Sequence, residues 1–126
     1  MARIVVIEDS KLMRTMLSRI LEHAGYEVDA WEEVTAVEIP QRLEESNPDL
    51  IITDYQMPGS NGLTVARMAH KTRPTLPVIV VTATHDPAVL GALNRVDVTH
   101  ILYKPVKGEE LLKAVGEALQ GSSTGG

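Results

Sequence analysis

Apolar positions along this chain follow two rhythms that alternate from the amino terminus onward. His100-Ile101-Leu102-Tyr103 reads as the last strand, closed by Lys104-Pro105, and Ile4-Val5-Val6-Ile7, Leu50-Ile51-Ile52-Thr53 and Val78-Ile79-Val80-Val81 are short runs without helical spacing and rich in β-branched residues. Such runs predict strands buried on both faces of a sheet. Tyr26 to Trp31 alternates more weakly and suits an edge strand. Between the runs, apolar residues recur every third or fourth position. Ser10 caps a helix carrying Met13, Leu17, Ile20, Leu21 and Ala24, and Gly25 stops it. Thr35 and Glu38 have capping-box spacing, yet Pro40 would break a helix begun there. The expected helix therefore starts late, with Pro40 in its first turn, and runs to about Ser46. Gly62 to about Arg73 is a third helix, stopped by Pro74. Asp86-Pro87 opens a fourth, ending near Asn94. Lys107 to Leu119 is the last, with Leu111, Leu112, Val115, Ala118 and Leu119 on one face.

Strand and helix thus alternate five times, with no further internal repeat. This order predicts a parallel sheet covered by helices on both faces, an α/β fold. A chain of 126 residues holds one such domain, expected over residues 1–120. Residues 121–126, Gly-Ser-Ser-Thr-Gly-Gly, read as a flexible tail or linker. The net charge of -5 offers no general attraction to nucleic acid or an anionic membrane. Trp31, Tyr26, Tyr55 and Tyr103 form no set on which bases could stack, so direct nucleic-acid binding is not expected. The absence of cysteine excludes disulfides, thiolate metal sites and cysteine nucleophiles, and fits the cytoplasm. Glu8-Asp9 cuts off the first apolar run well short of a signal peptide, and no run reaches membrane-spanning length.

Chemistry concentrates where the strands end. Glu8 and Asp9 follow the first, Asp54 the third, Thr82 the fourth and Lys104 the fifth. In a parallel sheet these side chains emerge at one rim, where ligands of open α/β sheets bind. Crowded carboxylates repel unless a cation sits among them. Oxygen donors without His or Cys select a hard ion, Mg²⁺ before Zn²⁺. Lys104 and Thr82 then suit a second phosphoryl oxygen. These features describe a Mg²⁺-dependent phosphoryl site.

Glu8-Asp9, Asp54 with Met57-Pro58 and Gly62 behind it, Thr82-Ala83 and Lys104-Pro105 together resemble the receiver domain of bacterial two-component response regulators, of the chemotaxis-regulator type. The resemblance covers about residues 2–120. It implies a flavodoxin-like (βα)5 three-layer sandwich whose sheet has the order 2-1-3-4-5. It makes Asp54 the phosphoacceptor, taking its phosphoryl group from a sensor histidine kinase or phosphotransfer protein. Asp9, Asp54 and the backbone carbonyl of Gln56 would hold Mg²⁺, with Mn²⁺ as a substitute and Glu8 acting directly or through water. Lys104 would pair with the phosphoryl group, Thr82 would donate to it, and Lys104-Pro105 would be cis. The output would pass to an effector domain or protein through the fourth helix, fifth strand and last helix, and dimerisation through the last helix occurs in the family. Phosphorylation and dephosphorylation would be self-catalysed, with no turnover of an external substrate.

The chain departs from the pattern in places. Ile101 stands where the family usually has the aromatic partner of the threonine, and the aromatic here is Tyr103. Asp97 replaces a common glycine, which suits Asp if φ is positive. Gln56 and Thr84 flank the path of an attacking water. An aspartyl phosphohydrolase is the enzymatic alternative, but it would carry an acid at the place of Gln56 and a cap over its substrate. An interaction module with weakened phospho-switching is the alternative that Ile101 suggests. Met13, Met16, Met57 and Met68 read as packing. His23, His70, His85 and His100 read as surface histidines, and Glu44-Glu45 as a solvated helix end.

Overall fold

The computed structural model describes residues 1–124 of the chain. In order they form β1 (Arg3–Ile7), α1 (Lys11–His23), β2 (Glu27–Trp31), a 3-10 turn (Ala36–Glu38), α2 (Ile39–Ser46), β3 (Leu50–Asp54), β4 (Gln56–Met57), β5 (Ser60–Asn61), α3 (Gly62–Thr72), β6 (Val78–Thr82), α4 (Pro87–Arg95), β7 (His100–Tyr103) and α5 (Gly108–Thr124). Five strands pair in parallel in the order β2-β1-β3-β6-β7, and β4 and β5 form a small antiparallel hairpin. With the hairpin set aside, this is the expected flavodoxin-like order. The chain leaves β1 toward one edge and returns to β3 on its other side, so a crevice opens beyond the carboxyl ends of β1 and β3.

Alternate side chains of each strand supply two separate cores. Val5, Ile51 and Val80 pack with Leu43 of α2, Val65 of α3 and Leu93 of α4. Ile4, Ile52 and Val81 pack with Leu17 of α1 and Leu111 and Val115 of α5. Trp31, at the end of edge strand β2, is buried in the first core with the Arg42 guanidinium 4.0 Å above its ring.

Local signals set the helix ends. The Ser10 hydroxyl accepts from the Met13 N–H at 3.3 Å, and Gly25 ends the α1 turn with φ +98. Glu38 Oε1 accepts from both the Thr35 N–H and the Thr35 hydroxyl on the 3-10 turn, while Pro40 occupies the first turn of α2. Both signals are thus satisfied, on two consecutive pieces of helix. Asp86 caps α4 by accepting from the Ala88 N–H at 2.9 Å.

Three expectations are corrected. The last helix does not end near Leu119 but continues to Thr124. A glycine stops a helix by turning left-handed, and Gly121 has no positive φ. Residues 125 and 126 of the expected tail lie outside the described residues. Met16 is 36% exposed, one turn from Leu12 at 80%, so it lies on the solvent side of α1. His70 is half-buried, its two ring nitrogens each 2.9 Å from a carbonyl, of Val96 and of Leu76, and His100 is also half-buried. Asp97 has φ 58, as its place in a tight turn requires. Among the described residues, no helix is long and apolar enough to cross a membrane.

Candidate functional site

The rim residues converge. Carboxylate oxygens of Glu8, Asp9 and Asp54 lie within 4.8 Å of one another. Lys104 reaches in from the end of β7, its Nζ 3.1 Å from Asp54 Oδ2 and 3.7 Å from Glu8 Oε2. Asp54 is 7% exposed and Glu8 only 1%, whereas Asp9 is open to solvent. Neighbouring residues at a strand end point to opposite sides, which divides the pair so.

Backbone contacts hold these groups in place. The Tyr55 N–H donates to Val81 O at 2.9 Å, and the Gly62 N–H donates to Tyr55 O at 2.7 Å, turning the chain directly after Asp54. A Cβ at Gly62 would lie 3.1 Å from Tyr55 Cα, 3.2 Å from Asp54 O and 3.3 Å from Val80 Cγ1, so a larger residue there would crowd the close approach of α3 to β3. Lys104 donates its N–H to Thr82 O at 2.9 Å, and the Lys104–Pro105 peptide is cis as expected. Arg14, unmarked by any motif, donates from Nη1 to Glu8 O at 2.8 Å and braces the turn after β1. Its only sequence signal was a cation on the first turn of α1.

Glu8 Oε1 accepts the Ser10 N–H at 3.1 Å, whereas Oε2 is buried without a hydrogen-bond partner. Burial pushes the Glu8 carboxyl up to about 7. The Ser10 N–H opposes this, the nearby Asp54 charge adds to it, and Lys104 pulls the other way. An orphaned carboxylate oxygen among oxygen-only donors fits a hard divalent cation. Beside the trio, Asp9, Tyr55, Gln56, Met57, Pro58, Ser60 and Asn61 line an open depression of about 700 Å³.

Thr82 is buried, and its Oγ1 accepts from the Thr84 N–H at 3.0 Å. Ile101 packs against the core. Tyr103 pairs in register with Thr82, and its ring stacks on His85 with centroids 4.4 Å apart and planes 11° from parallel. This stack was not anticipated, because nothing in sequence links a loop histidine to a strand-end tyrosine.

A parallel α/β sandwich with an acidic trio, a lysine and a buried hydroxyl at its carboxyl rim defines a phosphorylation-controlled receiver. The model of the response regulator receiver domain matches residues 4–116, and the chain belongs to that family. It is 28% identical over 115 residues to the chemotaxis protein CheY of Thermotoga maritima, covering 91% of this chain and 95% of that one. It is 32% identical to the peroxide stress-activated histidine kinase mak3 of Schizosaccharomyces pombe, with 98% of this chain covered. The chain spans only 6% of mak3's length. The crystal structure of a CheY-like receiver domain protein from Methanospirillum hungatei superposes with a TM-score of 0.91 at 27% identity, covering 100% of this chain and 99% of that one.

Proposed function

We propose that Asp54 is the residue that takes the phosphoryl group and that Thr82 and Lys104 read it. An Asp54 carboxylate oxygen attacks phosphorus of a phosphohistidine on a partner kinase or phosphotransfer protein. The P–N bond breaks, the imidazole leaves with a proton, and an acyl phosphate remains. The observation that carries this reading is the Lys104 Nζ, 3.1 Å from Asp54 Oδ2 beside two further carboxylates. Glu8, Asp9, Asp54 and the Gln56 carbonyl would hold Mg²⁺, which supplies positive charge to offset the incoming phosphoryl oxygens. Thr82 Oγ1 is engaged as an acceptor, so its own proton is available to a phosphoryl oxygen. A hydrogen bond to such a charged group is worth roughly 1.5–3 kcal/mol, enough to shift a shallow two-state balance at least tenfold. The output would leave through α4, β7 and α5, toward an effector in the cytoplasm.

Mass spectrometry after treatment with acetyl phosphate tests the assignment. One phosphoryl group is expected with Mg²⁺, none with EDTA and none in Asp54→Asn. A label that survives in Asp54→Asn would place the chemistry elsewhere.

A further inference from the structure

The two acids at the end of β1 are held through their main chain as well as their side chains. Glu8 donates its N–H to Trp31 O at 3.1 Å, and its Oε1 accepts the Ser10 N–H at 3.1 Å. The Glu8 carbonyl accepts from Arg14 Nη1 at 2.8 Å, and the same nitrogen reaches the Asp9 carbonyl at 3.4 Å. Half-buried Arg14 sits early on α1, where its own N–H donates to Ser10 O at 2.8 Å. One guanidinium thus spans both residues of the acid pair from a helix whose start is capped by Ser10. Three carboxylates within 4.8 Å repel one another, so in the metal-free protein each needs an anchor. Lys104 pairs with Asp54 and with Glu8. Asp9 is exposed and, among the described residues, has no cation within ion-pair distance of its carboxylate. Its place beside the other two is set by its backbone, and Arg14 is the side chain bonded to that backbone.

We infer that Arg14 is a positioning residue for the metal site: by bonding both carbonyls it fixes the turn after β1, so that Glu8 and Asp9 present their carboxylates together with Asp54. The inference rests on the trio binding Mg²⁺ and deepens that reading. Arg14 makes these contacts to main-chain oxygens, not to a carboxylate. A bystander cation and a positioning cation predict opposite signs. Removing a positive charge that merely stands near a divalent ion relieves repulsion and tightens binding. Removing a group that orients metal ligands loosens it, by about 10- to 100-fold. Arg14 acts through main chain, so the expected loss is about tenfold, the lower end of that range.

The test uses the full chain, with calorimetric titration of Mg²⁺ and amide hydrogen exchange in EDTA. Arg14→Met keeps the packing of the aliphatic stem and removes the guanidinium, so the helix is expected to survive. It should bind Mg²⁺ about tenfold more weakly, and its Ser10 amide should exchange faster in the metal-free protein. Arg14→Lys retains a charged donor and should recover part of the affinity. Arg19→Ala takes the same charge from an exposed position on α1 and should bind as wild type or slightly tighter. An Arg14→Met affinity equal to or above wild type, or an equal loss in Arg19→Ala, overturns the positioning role and leaves the metal site intact. A wild type that binds no Mg²⁺ overturns the metal site, and the role of Arg14 falls with it.

Discussion

Glu8 has one oxygen on the Ser10 amide and the other buried near Lys104, with Asp54 close by. Burial raises its carboxyl from 4.5 to about 7. Between these values the folded, metal-free protein keeps a proton at Glu8 that the unfolded chain has released. The stability this group contributes is therefore fully present below 4.5 and lost as pH rises to about 7. Thermal melts in EDTA should show wild type losing stability relative to Glu8→Gln across that window. Metal ligation favours the ionised form, so the sign reverses for binding: Mg²⁺ affinity should climb with pH and level off above about 7. Calorimetric titration checks it, and Glu8→Gln should flatten the curve. At this scale the sequence named Glu8, Asp9, Asp54, Thr82 and Lys104 because each directly follows a recognisable strand. It could not say which of two adjacent acids leaves water, since turn geometry beyond the strand decides that. Arg14 and the His85–Tyr103 stack stayed invisible for a related reason. Their partners are brought near only by the folded sheet.

The segment from β3 through the hairpin to α3 carries the site on its tightest turn. Because Gly62 has no positive φ, what it contributes is room, not left-handed backbone. Gly62→Ala should destabilise the fold by about 1–3 kcal/mol, the range for overpacking a filled site. It should also slow uptake of label at Asp54, whose carbonyl the new methyl meets. Urea unfolding and the mass-spectrometric assay read the two effects separately. Helix starts at Ser10 and Asp86 were legible because capping acts within a few residues of chain. The β4–β5 hairpin was not, since arms of two residues hold no periodicity. Around Pro40 two true signals competed, and the structure satisfied both by joining a 3-10 turn to an α-helix.

Across the whole molecule, the five-fold alternation of strand and helix announced a parallel sheet, but pairing order is a long-range choice that local patterns do not encode. The order came from the family resemblance, and the structure agrees. The rim draws on strands across that sheet, so an ion held there should steady the entire fold. Mg²⁺ at a hundredfold excess over its dissociation constant should add about 2.7 kcal/mol, a rise of roughly 10 °C in melting temperature. EDTA should cancel the rise, and Asp9→Asn should shrink it. The two sheet edges also differ in what they let an observer follow. The single tryptophan, Trp31, closes the β2 edge beneath Arg42, whereas Tyr103 ends the β7 edge. Four strand spacings, about 19 Å, separate those edges. Indole emission should therefore redden when the protein melts and stay blind to the far border, while the Glu8 N–H donating to Trp31 O at 3.1 Å sets the indole next to the acidic trio, where it can sense what binds there.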